Sequence, residues 1–234
     1  MNWKKGCAAL LTALLTLPIL AAADVKVGDH VFFGSYEQDN DLTDGKEPIE
    51  WRVLSTDVDG SLLISQYALD VLPYDTEHSS ASWIDSSIRA WLNNDFLLGS
   101  FTEAEGEQII PQNLENYREK DSRDTVFLLS NDEAKRLFAD HADRRAEPTA
   151  YCLTKGPYLS RKYTGKVHWW LRSISWESRA RAAFVAASGG VMTCGGDSDG
   201  RISNTWICVR PAIVVKTDTL MKLIDNSEEK AEKG

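Results

Sequence analysis

The chain has 234 residues, of which 43% are hydrophobic and 26% charged. This length and composition are typical of one globular domain whose core needs neither metal nor disulfide. The formal net charge is -9, and no block of Lys and Arg offsets this excess of acid. Nucleic acid and anionic lipid surfaces carry the same sign of charge and are therefore excluded as expected partners.

The first 23 residues have the pattern of a secretory signal peptide. Lys4 and Lys5 give a basic start, residues 7–20 form an apolar run, and three alanines before Asp24 supply the small residues of a cleavage site. The run is short for a membrane span, so an uncleaved anchor is the less favoured alternative. Cleavage removes two lysines and no acid, which moves the formal charge from -9 to -11. The sequence thus predicts a secreted or extracytoplasmic protein without a transmembrane span after cleavage.

Three short strands are predicted at the start of the mature chain. Residues 30–33 and 62–65 are apolar runs, whereas residues 49–54 alternate apolar and polar side chains, which is the period of a half-buried strand. Asp59-Gly60, between the second and third strands, is a strong hairpin signal. The domain is therefore expected to open with a small antiparallel meander.

The middle of the chain predicts three short helices. Each begins at a Ser or Thr that is followed three residues later by an acid, the pattern of a capping box, at Ser82, Thr102 and Ser130. Pro111 must end the second helix because proline cannot continue it. Residues 125–129, before the third helix, are predicted to form a strand.

The last third of the chain predicts strands only. They cover residues 169–173, 182–187, 191–194 and 206–215, and follow a polar, irregular segment over 139–163. Residues 217–234 are predicted to form a polar, disordered tail. The order of strands, then helices, then strands favours a single α+β domain over residues 24–216, and not a doubly wound parallel sheet.

A set of short motifs follows one another along residues 27–215. They are PIEWRVL from Pro48, SW at Ser82, IRAWLN from Ile88, FLLS from Phe127 with Glu133-Ala134, WWLRS from Trp169, AFV from Ala183, Gly190-Val191 and VRPA from Val209. In this order and spacing they resemble a bacterial extracytoplasmic family, the domain of unknown function 6273, and the resemblance covers nearly all of residues 27–215. The family is distantly similar to the C-type-lectin-like fold of formylglycine-generating enzymes. The resemblance therefore implies that fold, with antiparallel strands, and it implies no activity.

Several residues of these motifs are expected to be structural. They are Trp51, Trp91, Asn93, Trp170, Arg172 and Arg210. Alternation along 169–173 sends Trp170 and Arg172 to one face of the strand. They form either a platform for stacking on sugar rings or peptide groups, or, as we favour, a core Trp beside an Arg paired with a carboxylate. Arg210 is expected to be held by an internal carboxylate or by main-chain carbonyls, and Pro211 predicts an edge strand or a bulge.

A recognition surface is predicted on the loops of the C-terminal sheet, because exposed aromatic and Arg side chains on loops are the usual anchors of binding surfaces. The candidate ligand-binding residues are Trp176, Arg179, Arg181, Asp197, Asp199, Arg201 and Asn204. The Gly- and Asp-rich run over 195–200 is only a fragment of a calcium loop, since Arg201 stands where a third ligand would be needed and no distal Glu follows. We therefore expect no metal site and no cofactor, with calcium as the alternative.

Three cysteines, Cys152, Cys194 and Cys208, remain after cleavage. In an oxidising compartment one pair is expected. Cys194 with Cys208 is the candidate disulfide, because the two residues flank a loop that a hairpin could close. Such a bridge would close about fifteen residues and contribute roughly 3 kcal/mol in the chain-entropy model. The alternative is three buried, reduced thiols.

The sequence contains no recognisable catalytic constellation. The four histidines lack metal-ligand spacing, and no nucleophile elbow, phosphate loop or dinucleotide fingerprint is present. The sequence therefore favours a non-enzymatic recognition or adhesion module that binds a cell-surface glycan or protein through loops of the C-terminal sheet. Two alternatives stay open: a hydrolase or formylglycine-type oxidase on the same fold, and a structural component of a surface assembly.

Overall fold

A computed structural model of the chain describes residues 24–77, 80–193 and 200–232. The predicted signal segment 1–23 lies outside the described residues, as do Cys194, Asp197 and Asp199. Within the described part, no helix has both the length and the apolar character needed to cross a membrane. The buried apolar residues form one contiguous core cluster, as a single domain requires.

Short strands supply most of the regular structure in the described part of the chain. They are β1 (His30–Tyr36), β2 (Glu47–Thr56), β3 (Gly60–Ser65), β4 (Asp70–Val71), β5 (Gln112–Leu114), β6 (Ser122–Asp124), β7 (Trp169–Ile174), β8 (Ala182–Val185), β9 (Val191–Met192), β10 (Cys208–Val209) and β11 (Ala212–Lys216). The helices are α1 (Ser87–Trp91), α2 (Leu97–Ser100), α3 (Glu103–Gly106), α4 (Asn131–Arg136), α5 (Ala150–Thr154) and α6 (Thr217–Glu232), with a π-helical turn, Leu92–Phe96, joining α1 to α2.

The first sheet has the order β1-β2-β3-β11, and all of its pairs are antiparallel. Alternation along β2 buries Ile49, Trp51 and Val53 completely, because every second side chain of a strand faces the same way. The Trp51 indole N–H donates to the Phe33 carbonyl across the β1–β2 pair, at 2.7 Å. The predicted opening meander is confirmed.

The second sheet has the order β4-β10-β7-β8-β9 and carries the candidate site. Its pairs are antiparallel except for β10 beside β7, which run parallel with Cys208 opposite Trp169. The expectation of antiparallel strands alone was therefore wrong at this pair. A parallel pair needs a crossover of a dozen residues or more, and the long connection from β9 to β10 provides it. A third, two-stranded sheet pairs β5 with β6.

The predicted strand over 206–215 is divided between two sheets. Arg210-Pro211 separates β10 in the second sheet from β11 in the first. Proline has no N–H to donate to a ladder, so a strand tends to end where one occurs. We expected an edge strand or a bulge at Pro211; instead the chain leaves one sheet for the other there, and β11, which follows, is an edge strand of the first sheet.

Two of the three predicted helix starts are confirmed. Thr102 and Ser130 each form a complete capping box with the Glu three residues later, at the starts of α3 and α4. The predicted start at Ser82 was wrong, because α1 begins at Ser87 and its N-cap is Ser86, whose hydroxyl accepts from the Arg89 N–H. Residues 125–129, predicted to be a strand, form only an isolated bridge from Phe127 to Ala212.

Two helices lie where none was predicted. The segment 139–163, expected to be irregular, contains α5, which begins after the N-cap Thr149. Residues 217–232, expected to belong to a disordered tail, form α6. Leu220 is fully buried, and Met221, Leu223 and Ile224 pack against the core. Burial of this apolar face stabilises α6 although the segment as a whole is polar.

Four of the residues expected to be structural hold the interior through hydrogen bonds. The Trp170 indole N–H donates to the Leu72 carbonyl at 2.9 Å. Asn93 accepts from the Thr125 N–H at 2.9 Å and donates to the Val126 carbonyl at 2.9 Å, which fixes the chain before α4. Arg172, nearly buried, donates from Nη2 to the Glu133 carboxylate at 2.9 Å. Arg210 donates from Nε to the carbonyl of Ser65 at 2.7 Å and from Nη2 to that of Gln66 at 3.3 Å.

Aromatic rings contact Arg210 and also Trp91, another of the residues expected to be structural. The Arg210 guanidinium lies 5.2 Å from the centroid of the Trp169 ring, which adds a cation–π contact to its carbonyl partners. Trp91 is half-buried and meets the ring of Tyr36 edge-on, with 6.4 Å between centroids.

Candidate functional site

An open cavity of about 490 Å³ lies beside β7, β8 and β9, and we call it the aromatic groove. Its volume falls within the ~300–1,000 Å³ of ordinary small-ligand pockets. Among the described residues, its lining is aromatic or apolar except at His168 and at a backbone glycine. The lining residues are Gly156, Pro157, Tyr158, His168, Phe184, Ala186, Met192 and Trp206.

The floor of the aromatic groove is a row of side chains across the second sheet. Phe184 on β8 lies opposite both Trp170 on β7 and Met192 on β9. His168 precedes Trp170 by two residues, so the alternation of the strand places both on the same face. Phe184 meets the rings of His168 and Trp170 edge-on, at centroid distances of 5.3 and 6.4 Å. Cross-strand contacts of this kind stabilise a sheet and give the floor a fixed shape.

The wall of the aromatic groove is formed by two segments that are distant in sequence. Tyr158 lies shortly after α5, and its ring stacks on that of His168 with 4.4 Å between centroids and 12° between planes. Trp206 lies shortly before β10, and its ring is 5.9 Å from Tyr158 and 5.7 Å from His168. The Tyr158 N–H donates to the Trp206 carbonyl at 2.9 Å, which joins the two segments directly.

Hydrogen bonding fixes the protonation pattern of the His168 ring. Its Nδ1 atom accepts from the Ala187 N–H at 2.9 Å, and a nitrogen that accepts a hydrogen bond carries no proton. The neutral ring therefore carries its proton on Nε2. The Tyr158 hydroxyl and the Trp206 indole N–H make no hydrogen bond within the described residues. The groove thus presents flat ring faces together with two polar edges that are available to a ligand.

None of the predicted ligand-binding residues that the structure describes lines the aromatic groove. Arg181 and Arg201 face each other in an isolated antiparallel bridge. Arg181 also borders a small depression that shares Phe184 and Met192 with the groove.

The remaining predicted binding residues lie further along the same loops. Trp176 is 57% exposed and Arg179 is exposed, both on the loop between β7 and β8. Asn204 is half-buried in a turn that its N–H closes on the Arg201 carbonyl at 3.0 Å.

The structure gives Cys208 a different neighbour from the one predicted. The proposed partner Cys194 lies outside the described residues, whereas the Sγ atom of Cys152 lies 3.8 Å from that of Cys208. Both are buried, free thiols. Burial raises the pKa of the Cys208 thiol well above its ordinary value, which makes it a poor nucleophile in the folded protein.

A group of three carboxylates is formed by Glu37 and Asp39, on the loop between β1 and β2, and Glu47, the first residue of β2; their oxygens lie within 4.8 Å of one another. The Glu47 carboxylate accepts from the N–H groups of Gln38 and Asp39, and the Glu37 carboxylate accepts from the Asn40 N–H. The carboxylates thus serve to bind backbone N–H groups and to hold the polar loop in its conformation. No cation is required to account for the cluster.

Sequence reasoning missed the residues that form the aromatic groove. His168 could have been predicted from the sequence, because strand alternation puts it on the same face as Trp170. Phe184 belongs to the same pattern on the paired strand. No sequence pattern indicated Tyr158 and Trp206, because the contact between two loop segments 48 positions apart is created only by the fold.

A family model described as "Domain of unknown function (DUF6273)" matches residues 59–217. The matched span extends from the turn before β3 to the start of α6 and includes all the described residues that line the aromatic groove. No curated protein sequence and no solved structure matches the chain.

Proposed function

The chain belongs to the family of the domain of unknown function DUF6273, and we propose that it is an extracytoplasmic recognition module whose ligand binds in the aromatic groove. The N-terminal segment supports the extracytoplasmic address, since it has the basic, apolar and small-residue regions of a signal peptide. The acidic charge of the mature chain disfavours anionic partners.

One observation carries the proposal: the exposed ring of Tyr158 stacks on the half-buried His168, with the half-buried Trp206 beside it, and all three line an open cavity. Aromatic rings exposed in a concave site are unusual in a surface that only meets water, because burial of their apolar faces would be favourable. Tyr and Trp combine a large apolar face with a polar edge, and they dominate the energetics of binding surfaces for that reason.

The proposed ligand is a neutral glycan. The apolar face of a sugar ring can stack on Tyr158 or Trp206, while its hydroxyls can bind the phenol oxygen and the indole N–H, which have no partner within the described residues. A neutral sugar also avoids repulsion by an acidic protein. A peptide with an apolar side chain is the second candidate, because Phe184, Ala186 and Met192 offer it an apolar floor.

Catalysis in the aromatic groove has less support. Its described lining residues include no carboxylate, thiol or amine, and Nδ1 of the one histidine already accepts from the Ala187 N–H. General acid–base catalysis needs a positioned proton donor and acceptor near the reacting atoms. The lining therefore supports binding better than it supports a hydrolase or an oxidase.

The test is a binding screen of the mature protein on arrays of neutral glycans and of peptides, followed by titration of each hit with two variants. Trp206→Ala removes one wall of the groove, and we expect it to weaken binding at least about 30-fold, the effect of losing a hot-spot aromatic residue. Trp176→Ala is the matched control, because it removes an exposed Trp that does not line the groove. We expect it to change affinity less than about twofold.

The outcomes of the screen separate the alternatives. Loss of binding in Trp176→Ala, with binding retained in Trp206→Ala, would move the site to the loop between β7 and β8. Peptide hits without glycan hits would replace the glycan by the second candidate. Urea unfolding of both variants checks that a loss of binding does not come from a loss of folded protein.

A further inference from the structure

Cys152 and Cys208 are 56 positions apart in the chain, yet their Sγ atoms lie 3.8 Å from each other. Cys152 lies in α5 and Cys208 in β10, and both are completely buried. A disulfide requires about 2.05 Å between the sulfurs. Each sulfur therefore has to move by roughly 1 Å, a displacement that small side-chain rotations produce.

We propose that Cys152 and Cys208 form a disulfide in the mature protein, and that this bridge holds together the two segments that form the wall of the aromatic groove. The oxidant is a disulfide, either on a protein of the exporting compartment or in a small-molecule redox buffer. One thiolate attacks this disulfide and releases one thiol, and the second thiolate then attacks the mixed disulfide. Two protein thiols and one disulfide thus become one protein disulfide and two thiols.

The environment of the pair explains when the bridge forms. In the folded protein both sulfurs are inaccessible, and burial keeps the Cys208 thiol protonated, so attack on an external disulfide is slow. Oxidation therefore takes place while the chain folds, when the thiols are still exposed. Once enclosed, the bridge is shielded from reductants in the same way.

The bridge would join the same two parts of the chain that form the wall of the groove, α5 with the residues after it and β10 with the residues before it. Cys152 precedes Tyr158 by six residues, and Cys208 follows Trp206 by two. Between these points the Tyr158 N–H already donates to the Trp206 carbonyl at 2.9 Å. A covalent link beside this single hydrogen bond fixes the spacing of the two rings before a ligand arrives, which lowers the entropic cost of binding.

Peptide mapping tests the bridge directly, because trypsin places the three mature cysteines on three different peptides. These are 146–155 with Cys152, 182–201 with Cys194, and 202–216 with Cys208, since the Arg210-Pro211 bond resists cleavage. The exported protein, or protein refolded with oxidised glutathione, is alkylated under denaturing, non-reducing conditions and then digested. We expect a linked pair of 146–155 and 202–216. A link between 182–201 and 202–216, or three alkylated cysteines, would overturn the proposal.

Melting temperatures of protein refolded from denaturant with and without reductant provide the second measurement, because the enclosed bridge resists reductant in the folded state. For a loop of this length, we expect reduction of the wild-type protein to lower the melting temperature by about 8–16 °C. Cys194→Ser is the control and should show the same response to reductant. Cys152→Ser should start at the lower temperature and show no further response. A wild-type melting temperature that is insensitive to reductant contradicts the bridge, and neither measurement depends on the ligand of the groove.

Discussion

The turn between β8 and β9 depends on a glycine that can be tested against its immediate neighbour. Gly189 has φ of +87°, a backbone conformation that side chains with a Cβ rarely adopt. A Cβ built at this position would overlap the backbone carbonyl of His141. The Gly189 carbonyl also accepts from Nε of the buried Arg144 at 2.8 Å. The turn therefore cannot shift away from His141 without breaking this hydrogen bond.

Gly189→Ala should destabilise the protein through both effects. The left-handed conformation costs about 1–2 kcal/mol for an L-residue, and forcing an atom into filled space costs about 1–3 kcal/mol. We therefore expect the free energy of unfolding to fall by about 2–5 kcal/mol. Urea unfolding followed by tryptophan fluorescence measures this as a lower midpoint at an unchanged slope.

Gly190→Ala is the matched control in the same turn. Gly190 does not have a positive φ, and the nearest atom to an added Cβ is the Ser188 hydroxyl oxygen at 3.5 Å, an ordinary van der Waals contact. Its effect should stay within about 0.5 kcal/mol. If the two variants unfold at the same urea concentration, the turn does not constrain residue 189 as described.

Three further substitutions test the interior. Burial alone would raise the pKa of the Glu133 carboxyl, but hydrogen bonds and charge from Arg172 outweigh burial and hold the pKa below its ordinary value. Glu133→Gln leaves the Arg172 guanidinium without its charged partner and should therefore lower the free energy of unfolding by about 3 kcal/mol at pH 7. The unfolded chain binds a proton at Glu133 more readily than the folded chain does, so wild-type stability should fall as the pH drops below about 5. Unfolding midpoints measured across pH should show a steeper fall for the wild type than for the variant. Arg210→Lys should cost about 2 kcal/mol in urea unfolding, because an ammonium cannot reproduce the fork that binds two carbonyls. Leu220→Ala should cost about 2–4 kcal/mol if α6 packs on the core as described, and a change below about 0.5 kcal/mol would instead indicate a detached tail.

Local chemistry allowed the sequence to locate helices, but not always their first residue. Thr102 and Ser130 are followed by Glu at the capping position, and both boxes form. Ser82 has the same spacing to Asp85, and its hydroxyl does lie 3.4 Å from that carboxylate. The Trp83 N–H, however, is bound by Glu119 and its indole by Asp124, so the chain stays in a turn until Ser86. The long-range hydrogen-bond partners of Trp83 thus place the start of the helix about one turn later than the sequence predicted.

The candidate site was harder to predict because its parts come from distant segments. Strand alternation was sufficient to place Trp170 and Arg172 on one face, and His168 follows from the same rule. Proximity in the chain favoured Cys194 as the partner of Cys208, whereas the fold brings α5 beside β10 and supplies Cys152. The helix α5 itself was missed, since five residues carry too little periodicity to be distinguished from a loop.

The position of Pro211 between β10 and β11 determines when the domain can be completed during synthesis. One stretch of fewer than ten residues supplies an interior strand to one sheet and an edge strand to the other. Any nascent fragment that ends before this stretch lacks a member of both sheets at once, so neither can reach its final hydrogen bonding. Both sheets are therefore completed together, once residues 208–216 are in place, and not one after the other.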